Sequence, residues 1–131
     1  MLTENQRRWV LQRDNYTCRF CGHVGNVQTL EVDHSVPIAQ GGTDHGNNLQ
    51  ATCWPCNALK GDRNTRAFES WIRYHFGSRA HFARYSASAR ASGRLPDLDR
   101  WLDNNQPTIA DQLFSGWAIP VSHRRAESWF F

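Results

Sequence analysis

Four cysteines in two identical spacings, Cys18-x-x-Cys21 and Cys53-x-x-Cys56, constrain this chain more than any other feature. Two such knuckles can close one tetrahedral site of four thiolates around a zinc ion, and that fixes two distant segments to one point. Paired redox thiols and buried free thiols are the competing readings. Both fit poorly with Gly22 directly after the first pair and with the long stretch, residues 22–52, between the pairs. Zinc ligation also needs reduced thiols. No apolar run approaches the ~18–20 residues that span a bilayer. The stretch Met1–Arg8 has no apolar segment like a secretory signal. A cytoplasmic protein with no membrane partner and a structural zinc is therefore expected.

The rest of the chain reads as mixed helix and strand. Thr3 with Gln6 three residues later fits a capping box, so a helix is expected over Thr3–Arg13, ending before the turn pair Asp14-Asn15. The first knuckle follows over Tyr16–Gly22. Val27, Leu30 and Val32 suggest a strand over Val27–Asp33, and Pro37 prevents its continuation as a central strand. Ser35–Gln50 reads as loop or short irregular strand, and Cys53–Lys60 as a helix stopped by Gly61. Beyond it, Phe68, Trp71, Ile72 and Phe76 recur at helical spacing and mark one buried face, with Gly77 closing the run. Further helices are expected over Arg79–Ala91, Pro96–Asp103 and Thr108–Trp117. The 131 residues accommodate one domain, or a small domain with an extension. The change of character near Asp62 suggests a core over residues 1–66 and a mainly helical extension over 67–131.

The residues enclosed by the knuckles suit phosphodiester chemistry. Such hydrolysis needs a base for the attacking water, a cation for the charge growing on the phosphate, and rigid placement of both. His34 is the candidate base, since an ordinary imidazole is mostly neutral at cellular pH. Asp33 is a hard oxygen ligand for magnesium or manganese, and Asn57 offers a second, uncharged oxygen. Asn48, in a Gly-Asn-Asn turn, can brace the loop beside the histidine. Lys60 and Arg63 lie one helical turn apart and can grip phosphates. Adjacent strand residues point to opposite faces, so the strand must end, twist or bulge for Asp33 and His34 to address one phosphate. Glu31 shares the Asp33 face and reads as a surface acid. His23 and His45 read as surface residues, because four cysteines already fill the zinc.

Taken together, Cys18-x-x-Cys21, Leu30-Glu-Val-Asp-His34-Ser-Val-Pro37, Gly41-Gly42, Asn47-Asn48-Leu49 and Cys53-x-x-Cys56-Asn57-x-x-Lys60-Gly61 resemble the HNH nucleases of the zinc-containing subtype. The likeness covers roughly residues 7–63. It implies an α+β protein with a small ββα-metal (His-Me finger) core, an N-terminal helix and a helical C-terminal extension. It further implies a metal-dependent DNA endonuclease or nicking enzyme that leaves a 5′-phosphate and a 3′-hydroxyl. His34 would be the general base, Asn48 would orient its loop, and Asp33 with Asn57 would hold Mg2+ or Mn2+. Asparagine at position 57, where the family often has histidine, is a common variant. The expected setting is an intracellular protein of bacterial or phage origin.

Net charge is +3, which permits a nucleic-acid partner without demanding one. Arg73, Arg79, Arg84, Arg90 and Arg94 form a stretch without acids that can either follow a DNA backbone or stay solvated. Two rivals remain: a non-catalytic zinc module that only binds nucleic acid, and a nuclease acting on RNA. The first needs the cysteines and arginines but has no use for Asp33, His34 and Asn57 together.

Overall fold

In the computed structural model, residues 1–113 are described. Thr3 opens α1 (Glu4–Arg13) with the expected capping box: its hydroxyl accepts from the Gln6 amide, and the Gln6 side chain accepts from Thr3. The helix stops at Asp14, and Asn15 and Tyr16 follow with left-handed φ of 55° and 54°. Such a conformation costs a tyrosine on the order of 1–3 kcal/mol, so the surroundings must hold it. Asp14 supplies the hold. Fully buried, it pairs with Arg13 at 2.8 Å and accepts from the Ala51 amide at 2.9 Å. Arg13 also donates to the carbonyls of Gly46 and Leu49, so the end of α1 is tied to the middle of the chain.

The strands β1 (Leu30–His34) and β2 (Leu49–Cys53) are antiparallel, in unbroken register from Leu30 opposite Cys53 to His34 opposite Leu49. β1 starts three residues later than its sequence suggests. The Asn26 side chain accepts from the amides of Gln28 and Thr29 and draws residues 26–29 into a turn instead. β2 begins inside the segment read as loop or short irregular strand and continues to Cys53. All five of its residues are buried, although Leu49-Gln50-Ala51-Thr52-Cys53 alternates apolar and polar, so Gln50 and Thr52 need partners inside the fold. Cys53 then caps α2 (Trp54–Lys60), with Pro55 in its first turn. The result is an α+β fold with a ββα unit at its centre.

Between the strands, short 3-10 turns at Ile38–Gln40 and Gly46–Asn48 shape the loop. Gly42 is needed there, because a Cβ would sit 1.8 Å from the Val36 carbonyl oxygen.

The C-terminal helices are α3 (Thr65–Phe76), α4 (Arg79–Ser92), α5 (Leu98–Asn104) and α6 (Ile109–Leu113). Side chains cap the first three, from Asn64, Ser78 and Asp97. The rest of the helix expected over 108–117, and the tail after it, lie outside the described residues. Phe68, Ile72 and Phe76 are buried as their spacing indicates, and Phe20 of the first knuckle meets Phe68 edge to face at 4.8 Å. One apolar cluster runs from Leu11 through Leu30, Phe68 and Phe82 to Trp101. The boundary expected at 66/67 falls inside α3, and the core is continuous across it.

The arginine stretch does not form a free stripe. Arg79 donates to the Arg19 carbonyl, Arg84 pairs with buried Asp111 and pins α6 to α4, and Arg90 reaches the cysteines. Arg84 holds the Asp111 carboxyl well below the usual carboxylate range. Among the described residues, no helix is long and apolar enough to cross a membrane.

Candidate active site and thiol cluster

Turn and strand geometry bring the two knuckles together. The Cys18 amide donates to the His23 carbonyl, and Gly22, at φ 80°, donates back to Cys18, closing the first knuckle. The second spans the end of β2 and the first turn of α2. The sulfurs of Cys18, Cys21, Cys53 and Cys56 lie within 4.8 Å of one another, and all four cysteines are free of disulfides. Tetrahedral zinc with sulfur at ~2.3 Å puts sulfurs about 3.8 Å apart, so this donor set fits zinc in both number and spacing. The Cys21 and Cys53 sulfurs are 3.5 Å apart. Burial pushes the Cys18 and Cys56 thiols up, whereas sulfur–hydrogen bonds, from Cys18 foremost, pull Cys21 and Cys53 down. His23 is half-buried beside the cluster, and His45 is exposed, capping the 3-10 turn before β2.

A few residues away, β1 delivers Asp33 and His34. It neither bulges nor slips; it ends, after one more link from the Ser35 amide to the Asn48 carbonyl at 2.8 Å. Alternation therefore persists to its last residue, and the two side chains engage different neighbours. His34 Nε2 meets Asp44 Oδ1 at 2.8 Å. That hydrogen bond holds the Asp44 carboxyl below its ordinary value, with the Met1 ammonium adding to the effect. Asp44 is thus ionised at neutral pH and accepts a hydrogen bond from Nε2–H, so the neutral ring carries its lone pair on Nδ1. Sequence reasoning missed Asp44. Its only signal was a small acid in the Gly-rich loop facing the histidine, and many surface acids sit in such loops.

Asp33 turns towards α2. Its Oδ2 takes the Lys60 ammonium at 3.0 Å and the amide of Gln50, its cross-strand partner, also at 3.0 Å. Lys60 is fully buried and donates further to the His34 carbonyl at 2.8 Å. The expected grip of Lys60 on phosphate is therefore not what the structure contains. A buried ammonium needs a counter-charge, and Asp33 is the one at hand. Gln50 extends the network to Thr65 at 2.8 Å, and Thr65 in turn accepts from Ser35, so the start of α3 is tied to the end of β1. Gln50 and Thr65 were also missed: Gln50 ends the segment read as loop or short irregular strand, and Thr65 precedes the helical pattern that starts at Phe68.

Asn57, on α2, donates its amide to Glu31, so Glu31 is exposed but not idle. No hydrogen bond links any two of Asp33, His34 and Asn57. The Asp33 Oδ1 and Asn57 Oδ1 atoms lie outside these hydrogen bonds, and as hard oxygens they fit a magnesium-type ion. Asn48 makes three bonds to the loop: its amide donates to the Val36 and Thr43 carbonyls at 3.1 and 2.8 Å, and its oxygen accepts from the Val36 amide at 2.9 Å. Arg63 is exposed, lies over the Trp71 ring at 5.2 Å and donates to the Leu59 carbonyl.

Comparison with known proteins agrees with this segment. Residues 18–63 match the family model of the HNH endonucleases. A stretch of 53 residues, 40% of this chain, is 43% identical to the CRISPR-associated endonuclease Cas9 of Corynebacterium diphtheriae. The chain spans only 5% of that protein's length. With its ββα unit, the segment over residues 18–63 is similar to the HNH endonucleases, and its four clustered thiols fit the zinc-containing subtype.

Proposed function

We propose that this chain is a metal-dependent DNA endonuclease or nicking enzyme that hydrolyses phosphodiester bonds. The carrying observation is the His34–Asp44 pair at the end of β1, where Asp44 holds one imidazole nitrogen and leaves the other free to act as a base, next in the chain to the Asp33 carboxylate that Lys60 of α2 holds. His34 Nδ1 takes the proton of the attacking water, and Asp44 keeps the other nitrogen protonated and the ring still. Asp33 and Asn57 would hold Mg2+ or Mn2+, which when bound supplies charge stabilisation at the phosphate and at the departing oxygen. Asn48 keeps the loop that carries Asp44 in place. Lys60 and Gln50 orient the Asp33 carboxylate. The four cysteines hold a structural zinc.

The test is nicking of a supercoiled plasmid with magnesium or manganese, with and without EDTA. Metal-dependent relaxation is expected. Binding without scission would favour a non-catalytic zinc module, and cleavage confined to RNA would change the substrate.

Two predictions follow from the geometry. Asp44→Asn should leave folding and KM unchanged and lower kcat by about 10²–10⁴-fold, since an amide can present its N–H to the imidazole and reverse the tautomer. An unchanged kcat would remove Asp44 from the mechanism. Arg63 supplies a phosphate contact. Arg63→Ala should weaken binding to all sequences alike and reduce the salt slope of affinity by about one; an unaltered slope would leave Arg63 as surface only.

A further inference from the structure

Helix α4 lies outside the segment that matches the family, yet two of its side chains reach the sulfurs. Arg90 Nη1 stands 3.4 Å from Cys21 Sγ and 3.3 Å from Cys53 Sγ, so one guanidinium nitrogen bridges the two knuckles. Ser86 Oγ is 3.5 Å from Cys56 Sγ. Positions 86 and 90 are four apart and share one helix face. From that face we infer that Arg90 and Ser86 complete the zinc site, as outer partners that donate hydrogen bonds to its thiolates. The inference rests on the zinc reading of the four cysteines.

Charge explains why such partners are needed. Four thiolates around a divalent ion leave a net charge of about −2 in sulfur. Cys18, Cys53 and Cys56 are at most 1% exposed, so water cannot screen it. A buried charge of that size is costly unless it is paired and hydrogen-bonded. Arg90 meets both needs, as a permanent cation with fixed donor geometry that a flexible lysine does not reproduce. Cys21, the half-buried member, is the one on the open side, and it is there that Arg90 lies. Ser86, fully buried, serves Cys56, which Arg90 does not reach, with a neutral hydroxyl. The helices after residue 66 thereby acquire a role: α4 is the wall of the metal site that the ββα unit lacks. Outer partners of metal ligands typically contribute 10–100-fold to metal affinity.

The experiment uses the full chain under reducing conditions. Zinc affinity is measured by competition with a chromogenic chelator, and the thiolate-to-metal charge-transfer band is recorded after cobalt is bound in place of zinc. Arg90→Met should weaken zinc by about 10–100-fold, keep one zinc per chain and shift the cobalt band. Arg90→Lys should fall between it and the wild type, and Arg94→Met, at an exposed arginine beyond the end of α4, should change neither reading. A loss of helix packing alone would not move the band. If Arg90→Met fails to fold, Arg90→Lys and Ser86→Ala decide: weaker zinc with a shifted band in either supports the inference, and wild-type values in both overturn it. A folded Arg90→Met with affinity within about twofold of wild type and an unmoved band also overturns it, with the zinc reading intact. A wild-type chain that takes up no zinc sinks the zinc reading itself.

Discussion

Alanine at His34 is expected to abolish strand scission while leaving an intact, zinc-loaded protein. The loss should be at least about 10²–10⁴-fold, the usual contribution of a positioned base. Folding should survive because the fold does not depend on the imidazole. The ring makes one hydrogen bond, to a loop aspartate that is itself exposed, and 24% of the side chain is open to solvent. What residue 34 gives the structure comes from its backbone, through the pairing with Leu49 and the carbonyl that accepts from Lys60, and alanine keeps both. Plasmid nicking, metal content and a thermal melt, measured on one preparation, separate the outcomes. Nicking at the wild-type rate would remove His34 as the base. Lost activity with a collapsed melt would mean that the side chain has a structural role that the geometry does not indicate.

Stripping the thiol cluster should have the opposite signature. Removing zinc with a chelator, or replacing Cys56 with serine, is expected to abolish cooperative unfolding, not merely to lower activity. Structural zinc sites in small peptides contribute about 10–16 kcal/mol of apparent binding free energy. A typical domain has a net stability of only ~5–15 kcal/mol. Here the sulfurs sit within the apolar cluster itself, with Cys18, Cys53 and Cys56 beside Phe20, Leu30 and Phe82. Without the ion, four close sulfurs, three of them buried, lose the charge that holds them together, and the turns of both knuckles lose their closure. Circular dichroism melts with and without chelator, under reducing conditions, give the result directly. A melting temperature indifferent to the chelator would mean that the cluster is not metal-loaded.

What the sequence reveals here follows the reach of each interaction. Short-range signals are legible: the Thr3–Gln6 capping box, the Asp14 helix stop, Gly77 at the end of α3 and the one-sided face of Phe68, Ile72 and Phe76 all lie where local pattern puts them. The cysteine spacing is equally plain, because the chemistry of one ion dictates it. Less legible is whatever depends on a distant partner. β2 is only five residues long, and its polar positions Gln50 and Thr52 are buried as deeply as its apolar ones, so its sequence gives no sign of its place at the centre of the fold. Lys60 looks like a surface cation from its position near a helix end, and only the fold reveals that Asp33 and the His34 carbonyl enclose it. Asp44 becomes interesting only once a loop returns it to a histidine ten residues back. Arg90 lies 37 positions from one cysteine it touches and 69 from the other, a separation that no spacing rule covers.

The unbroken apolar cluster across residue 66 bears on how such a nuclease could be moved or trimmed. A graft of residues 18–63 into another host would carry every recognisable chemical signature. It would also leave behind Phe68, Ile72 and Phe82, against which Phe20 and the knuckles are seated. The recipient would have to offer a greasy, arginine-bearing helical wall of its own, or the transplant would arrive with its metal site open on one side. In this chain the portable unit is larger than the recognisable one. The difference is α1 on one side and the pair of helices α3 and α4 on the other.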